Sequence, residues 1–204
     1  MFTLDYNPCS KRNIERFSQL PIDKQEQIAA LSDGTIEASK LIKLKRNRKP
    51  VEVHEGDVFL VSNKEGLYFY GKVIQCVNTK HDRFKWSEEC YVGFIFKCTT
   101  REKNLNNFVP NYDDCVCGPE LFDVSFWGKG YFEIVGNIPL TKAEKKLDIG
   151  FFDGDSKSGV FFSSQGKMLW KFPRYFGMLA FITFIGVSIQ LSIAYVVNPE
   201  LLIE

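Results

Sequence analysis

Hydrophobic and polar positions change their period along the chain. Near the amino end Ile14, Phe17 and Leu20 recur every three residues until Pro21 stops them, which predicts a helix. A second helix is predicted from Asp23, as its N-cap, through Ile28 and Leu31 to Gly34. Thr35 reads as the cap of a third, with Ile36, Lys40 and Leu44 on one side. From Pro50 the pattern turns to strands. Val58–Val61 and Leu67–Cys76 predict a hairpin around Lys64-Glu65-Gly66, and Gly71 inside it marks a bulge or a close backbone approach. Glu89–Thr99 is apolar on both faces and belongs in a sheet interior. Asn104–Gly118 reads as a long loop, followed by strands at Leu121–Phe126 and Tyr131–Val135. Thr141 with Glu144 three residues on is a capping box, opening a short surface helix or turn. Val160–Ser163 and Met168–Phe172 predict a late hairpin around Ser164-Gln165-Gly166.

Between Arg174 and Glu200 there is no charge. The run from Tyr175 to Pro199 is long enough to cross a bilayer, so a membrane anchor through 175–199 is one reading. Thr183, Ser188, Gln190 and Ser192 interrupt it, and its character changes midway. Leu179–Val187 is strand-like, whereas Ser188–Val197 has helical spacing before Pro199. The favoured reading is therefore a strand and a helix covering a sheet. The fold class expected is α+β: a mainly antiparallel, strongly curved β-sheet or partly open barrel, with N-terminal helices and a C-terminal strand-helix. Residues 1–49 form a helical extension and 50–204 a β-rich domain, or the two make a single domain.

Composition sharpens this picture. Nineteen Phe and eight Tyr in 204 residues suit pleated, half-buried surfaces. Lys and Arg (26) nearly balance Asp and Glu (25), so no global field announces a direct nucleic-acid binder. The basic excess lies in residues 1–50, where six cations crowd Lys40–Lys49 and read as a solvated helix end offsetting the helix dipole. The six cysteines and the two histidines, His54 and His81, show no zinc-ligand spacing. Cys115 and Cys117 are too close to bridge without strain. The first ten residues hold Asp5 and no apolar run, so no secretory signal is expected. Reduced thiols, a cytoplasmic protein and no cofactor are the expectations.

Candidate chemistry is sparse. GxSxG, P-loop and GxGxxG motifs are missing from the sequence. Cys117 would need His54 or His81 as base, and Gly154-Asp155-Ser156 reads as a polar turn. Asp153 and Asp155 begin a calcium-loop pattern, but its twelfth position is Ser164. A small hydrolase or metal-dependent enzyme built on these groups is the alternative to a binding protein. The acid pairs Asp113-Asp114 and Glu88-Glu89, with Asp148, Asp153 and Asp155, read as a solvated acidic rim. Carried on a stiff aromatic sheet, such a rim would dock a basic partner, with Trp127 and Tyr131 as anchors. The candidate contact residues are thus Asp113, Asp114, Trp127, Tyr131, Asp148, Asp153 and Asp155.

Five segments carry a family likeness after a basic lead-in from about residue 43. They are Glu55–Phe59 (EGDVF), Gly66–Ile74 (GLYFYGKVI), Tyr91–Phe96 (YVGFIF), Tyr131–Leu140 (YFEIVGNIPL) and Phe151-Phe152-Asp153. Their order resembles the immunity protein 26 family of bacterial polymorphic-toxin systems. The resemblance implies a non-catalytic protein that binds a cognate toxin domain and protects the producing cell or its siblings. A basic nuclease is the toxin type that the acidic rim would suit. Tyr131 and Phe132 stand where the family carries Trp, and residues 1–40 lie outside the likeness. No catalytic set and no contact residue transfers from it.

Overall fold

Strand-forming residues dominate the middle of the chain, and they assemble a five-stranded antiparallel sheet. Its strands are β1 (Asp57–Lys64), β2 (Leu67–Val77), β3 (Cys90–Thr100), β4 (Cys115–Asp123) and β5 (Glu133–Asn137), in the order β4-β3-β2-β1-β5. A second sheet holds β6 (Ile149–Asp153), β7 (Val160–Phe162), β8 (Met168–Leu169) and β9 (Tyr175–Met178), in the order β8-β7-β6-β9 with β6 and β9 parallel. The computed structural model describes residues 8–47, 49–77, 90–106, 108–154 and 159–202. His81, Glu88, Glu89, Asp155 and Ser156 lie outside them. Among the described residues four α-helices accompany the sheets: α1 (Pro8–Phe17), α2 (Ile22–Asp33), α3 (Ser125–Gly128) and α4 (Phe184–Val197). The class is α+β, with two mainly antiparallel sheets, neither closed, among the described residues.

The apolar run of β3 is explained by its place. It is an inner strand, and Cys90–Phe96 are buried because both sheet faces are covered. One face carries Phe59, Val61, Phe69, Val73 and Phe122 beneath Val187, Leu191 and Ala194 of α4. The other carries Val58, Leu60, Tyr70, Val92 and Phe94 against Ile149 and Phe151 of β6. Gly71 lies opposite Phe59 in the β1–β2 ladder, and a Cβ there would stand 2.2 Å from the Phe59 ring. The glycine is the close approach that the sequence signalled, and the β2–β3 register also shifts beside it.

Several expectations change. Residues 35–47 do not form a third helix. The Ile42 N–H donates to the Ser62 carbonyl and the Leu44 N–H to that of Gly130, so this backbone is tied to distant strands instead of to itself. The described part of the basic run therefore lies outside any helix and offsets no helix dipole. The strand expected at Leu121–Phe126 ends at Asp123, whose Oδ1 accepts the Ser125 N–H at 2.6 Å and starts the α3 turn. It also begins earlier, at Cys115, inside the expected loop. The apolar tail divides as strand then helix, but at other points: β9 spans Tyr175–Met178 and α4 begins after Thr183, whose side chain caps it. Among the described residues no helix is long and apolar enough to cross a membrane. The second helix forms, with Ile28 and Leu31 buried against Ile193 and Gly34 left-handed at its end, but Asp23 is not its N-cap: Pro21 holds that position and Asp23 lies in the first turn, where its charge favours the helix N-terminus. In α1, Phe17 packs with that cluster while Ile14 faces solvent.

Candidate partner-binding face

The acids of the expected rim are present but neutralised. Nη2 of Arg174 donates to both carboxylate oxygens of Asp113 at 2.9 Å, and the Tyr175 hydroxyl donates to Oδ1 at 2.9 Å. The hydrogen bond from Tyr175, then those from Arg174, hold the Asp113 carboxyl below its usual range. Asp114 pairs with Lys97 at 2.6 Å, and Asp148 with Lys171 at 2.8 Å. Asp148 also accepts the Arg174 backbone N–H at 3.3 Å. The stretch before β9 thus holds Asp113 and Asp148 through Arg174 and Lys171, while the neighbouring Asp114 is held by Lys97 of β3, so each of the three acids faces a cation. Asp153 stands at the opposite end of β6 from Asp148, in register with Val160, and Asp155 lies outside the described residues.

The two expected anchors are elsewhere. Trp127 is fully buried, its ring 5.5 Å from Phe59, 5.2 Å from Tyr91 and 5.2 Å from Phe132. The α3 turn folds it under the sheet, so it is a core residue with no surface to offer. Tyr131 is half-buried against Phe184, with the Lys43 ammonium over its ring at 5.8 Å. It packs on the α4 side of the sheet.

The exposed rings come from a segment that the sequence pattern assigned to a strand. β8 stops at Leu169, and the chain onward to β9 leaves Trp170 92% and Phe172 62% exposed. Phe172 rests on Phe161 and Phe176 at 4.8 and 5.0 Å, which steadies it. Lys171 and Arg174 of the same stretch are the partners of Asp148 and Asp113. The available signal was Lys167–Arg174 (KMLWKFPR), aromatics interleaved with cations before a proline.

Beside this array opens a cleft of about 530 Å³ between α1, β4, β9 and α4. Gly177 lets β9 approach β4, since a Cβ there would meet the Pro119 carbonyl oxygen at 2.1 Å. Glu120 of β4 lines the cleft, partly buried, and burial pushes its carboxyl up to about 7 despite the opposing charge of Arg12. Burial likewise raises the thiols of Cys9 to about 11 and Cys115 to about 12, and that of Cys117 well above its ordinary value. A thiol so displaced is a poor nucleophile, and His54 sits beside Asp57 at 3.8 Å, ahead of β1. Tyr112, on the same wall, donates to Glu144 Oε1 at 2.5 Å. Glu144 is the capping-box glutamate, and both bonds of that box form: Thr141 N–H to Glu144 Oε2 at 2.8 Å and Glu144 N–H to Thr141 Oγ1 at 3.1 Å. Its carboxylate also takes the buried Lys72 ammonium of β2 at 2.6 Å. Burial pushes that carboxyl up, but the hydrogen bonds from Lys72, Tyr112 and Thr141 outweigh it and hold the group at about 2.

Neither the curated proteins nor the solved structures gave a match to this chain. The family model described as immunity protein 26 matches residues 54–159. The matched stretch runs from just before β1 to the start of β7 and takes in Lys72, Asp113, Asp114, Glu120, Glu144 and Asp148. The helices α1, α2 and α4 and the Trp170 segment lie beyond it. With just over half of its residues matched in this way, the chain belongs to the immunity protein 26 family.

Proposed function

We propose that this protein neutralises a cognate toxin domain by binding it, with no bond made or broken, and so protects the cell in whose cytoplasm it resides. The contact face is the Trp170–Arg174 stretch together with Asp113, Asp114 and Asp148. One observation carries the proposal: a tryptophan 92% exposed on a segment whose lysine and arginine are tied down to acids on either side. Phe172 is held on Phe161 and Phe176, and the ion pairs on either side anchor the backbone that carries Trp170, so part of the ordering is done before the partner arrives. The pairing of the three acids also removes the excess negative charge on which a preference for a basic nuclease rested. Toxin type is then set by shape and by exchange of ion pairs.

Residues 1–49 and 50–204 act as one unit in this proposal, supported by the packing of Ile28 and Leu31 on Ile193. The test uses the toxin domain encoded beside the gene. Trp170→Ala and Phe172→Ala together should weaken capture at least about tenfold, while Phe172→Ala alone carries the small loss of thermal stability that follows from its contacts with Phe161 and Phe176. Capture at full strength by the double variant would exclude this face.

A further inference from the structure

The cleft beside the contact face contains more polar groups than its own structure satisfies. Along α1, Arg12, Asn13 and Arg16 share the face that lines it, whereas Ile14 is turned to solvent. A short helix built only for packing would show the reverse arrangement. The side chains of Asn13 and Arg16, with those of Glu120 of β4 and Gln190 of α4, make no hydrogen bond to any described residue, yet all four border the same space. Arg12 spends one nitrogen on the Phe176 carbonyl at 2.9 Å and lays its guanidinium over the Phe176 ring at 4.3 Å. Those contacts fix it at the wall and leave further N–H groups to offer. The other cations at the mouth, Lys97 and Arg174, are already paired with Asp114 and Asp113. The unpaired charge of the cleft is therefore positive on α1 and carboxyl on β4.

We infer that this cleft is a binding site for an anionic oxygen group, a carboxylate or a phosphate, seated on Arg12 and Arg16 with the amides of Asn13 and Gln190 completing its hydrogen bonds. Guanidinium groups are suited to such oxygens because their N–H donors match the spacing of two oxygens. The volume fits a small molecule or one inserted chain segment. Glu120 gives the site a proton link. When protonated it donates to the anion, and when ionised it repels it. The titratable and charged groups that line the cleft with Glu120 are Cys9, Arg12 and Arg16 from α1, Cys115 and Cys117 from its own strand, Lys97 from β3, Tyr112 and Asp113 before β4, Arg174 before β9 and Tyr175 in it, while α4 and its C-cap bring the uncharged Gln190 and Asn198. Burial holds the three thiols protonated through neutral pH and raises the Glu120 carboxyl to about 7, so Glu120 is the one of these buried groups placed to change charge near neutral pH.

The test is calorimetric titration of the full chain with inorganic phosphate and, separately, with glutarate, at pH 6 and pH 8. One saturable site is expected for at least one of them, and the stronger of the two names the source as phosphate or carboxylate; the pH effect is read with glutarate, which stays largely ionised across this range while phosphate itself gains charge, and glutarate should bind tighter at pH 6. Arg12→Gln should weaken it at least about tenfold. Arg16→Gln, whose side chain is exposed and bonds to nothing described, should weaken it severalfold and serves if Arg12→Gln does not fold. Glu120→Gln should remove the difference in glutarate binding between pH 6 and pH 8. No saturable binding of either probe at pH 6, or binding unchanged in Arg16→Gln, would overturn the inference. Toxin capture is a separate readout, so loss of either property leaves the other to be judged alone.

Discussion

Glu144→Gln offers the sharpest energetic test of how the sheet is held. Lys72 is 1% exposed and Glu144 8%, and their charged atoms meet at 2.6 Å. Removing the carboxylate leaves an ammonium inside the protein with no counter-charge. Such breakage typically destabilises by about 3–5 kcal/mol. Against a total stability on the order of 5–15 kcal/mol, that is a large share. Lys72→Met should cost less, because Tyr112 and Thr141 still donate to the stranded carboxylate. The double variant Lys72→Met, Glu144→Gln should be more stable than the sum of the singles predicts, by roughly 2 kcal/mol or more. Urea unfolding followed by fluorescence at pH 7 measures all three.

Acid adds an independent handle. Glu144 is held at about 2 in the folded state against 4.5 ordinarily, so folding favours its charged form. Its contribution is complete above about pH 4.5 and is lost as pH falls towards 2, amounting to about 3 kcal/mol at most. Glu144→Gln should flatten that part of the stability curve. Single variants each costing under about 1 kcal/mol, with strict additivity, would refute the buried-pair reasoning.

Other outcomes follow from the same geometry. Glu120 has the opposite sign: its folded value lies above its ordinary one, so it weakens the fold as pH rises from about 4.5 through 7. Glu120→Gln should therefore stabilise by about 1–2 kcal/mol at pH 8, allowing for its partial exposure, and by nearly nothing at pH 4, as melting temperatures would show. Gly71→Ala should destabilise by roughly 2 kcal/mol or more, and Phe59→Leu on that background should recover part of it in urea unfolding. Iodoacetamide at neutral pH should label Cys76 first and Cys117 only on unfolding, since Cys76 is exposed and Cys117 is buried with its thiol pushed up, and peptide mapping would read the order.

How far the sequence revealed these features depended on the range of the interaction. The Thr141–Glu144 capping box is complete within four residues, and it forms as read. That Glu144 also neutralises Lys72, 72 positions away, left no local trace. Likewise the spacing of Ile36, Lys40 and Leu44 fits a helix, but hydrogen bonds to Ser62 and Gly130 decided otherwise. Gly71 and the apolar β3 were legible because period-2 strands expose a glycine or a two-faced run as exceptions. The tryptophans show the limit most clearly. Trp127 lies between a strand and a glycine turn and looked like a surface ring, yet Asp123 bends the chain so that it enters the core. Trp170 looked like the end of a strand, yet β8 ends before it and leaves it in water. Family membership was legible in the five β segments; the exposed rings of the Trp170 segment, which lies beyond the match, were not.

The central claim concerns how the toxin is silenced, and stoichiometry tests it most directly. Toxin activity should be titrated with purified protein at concentrations well above the dissociation constant. Binding without turnover predicts a linear loss of activity ending at one protein per toxin, with intact toxin recovered when the complex is dissociated. Silencing that is complete at a small fraction of one equivalent, or that leaves the released toxin chemically altered, would contradict it.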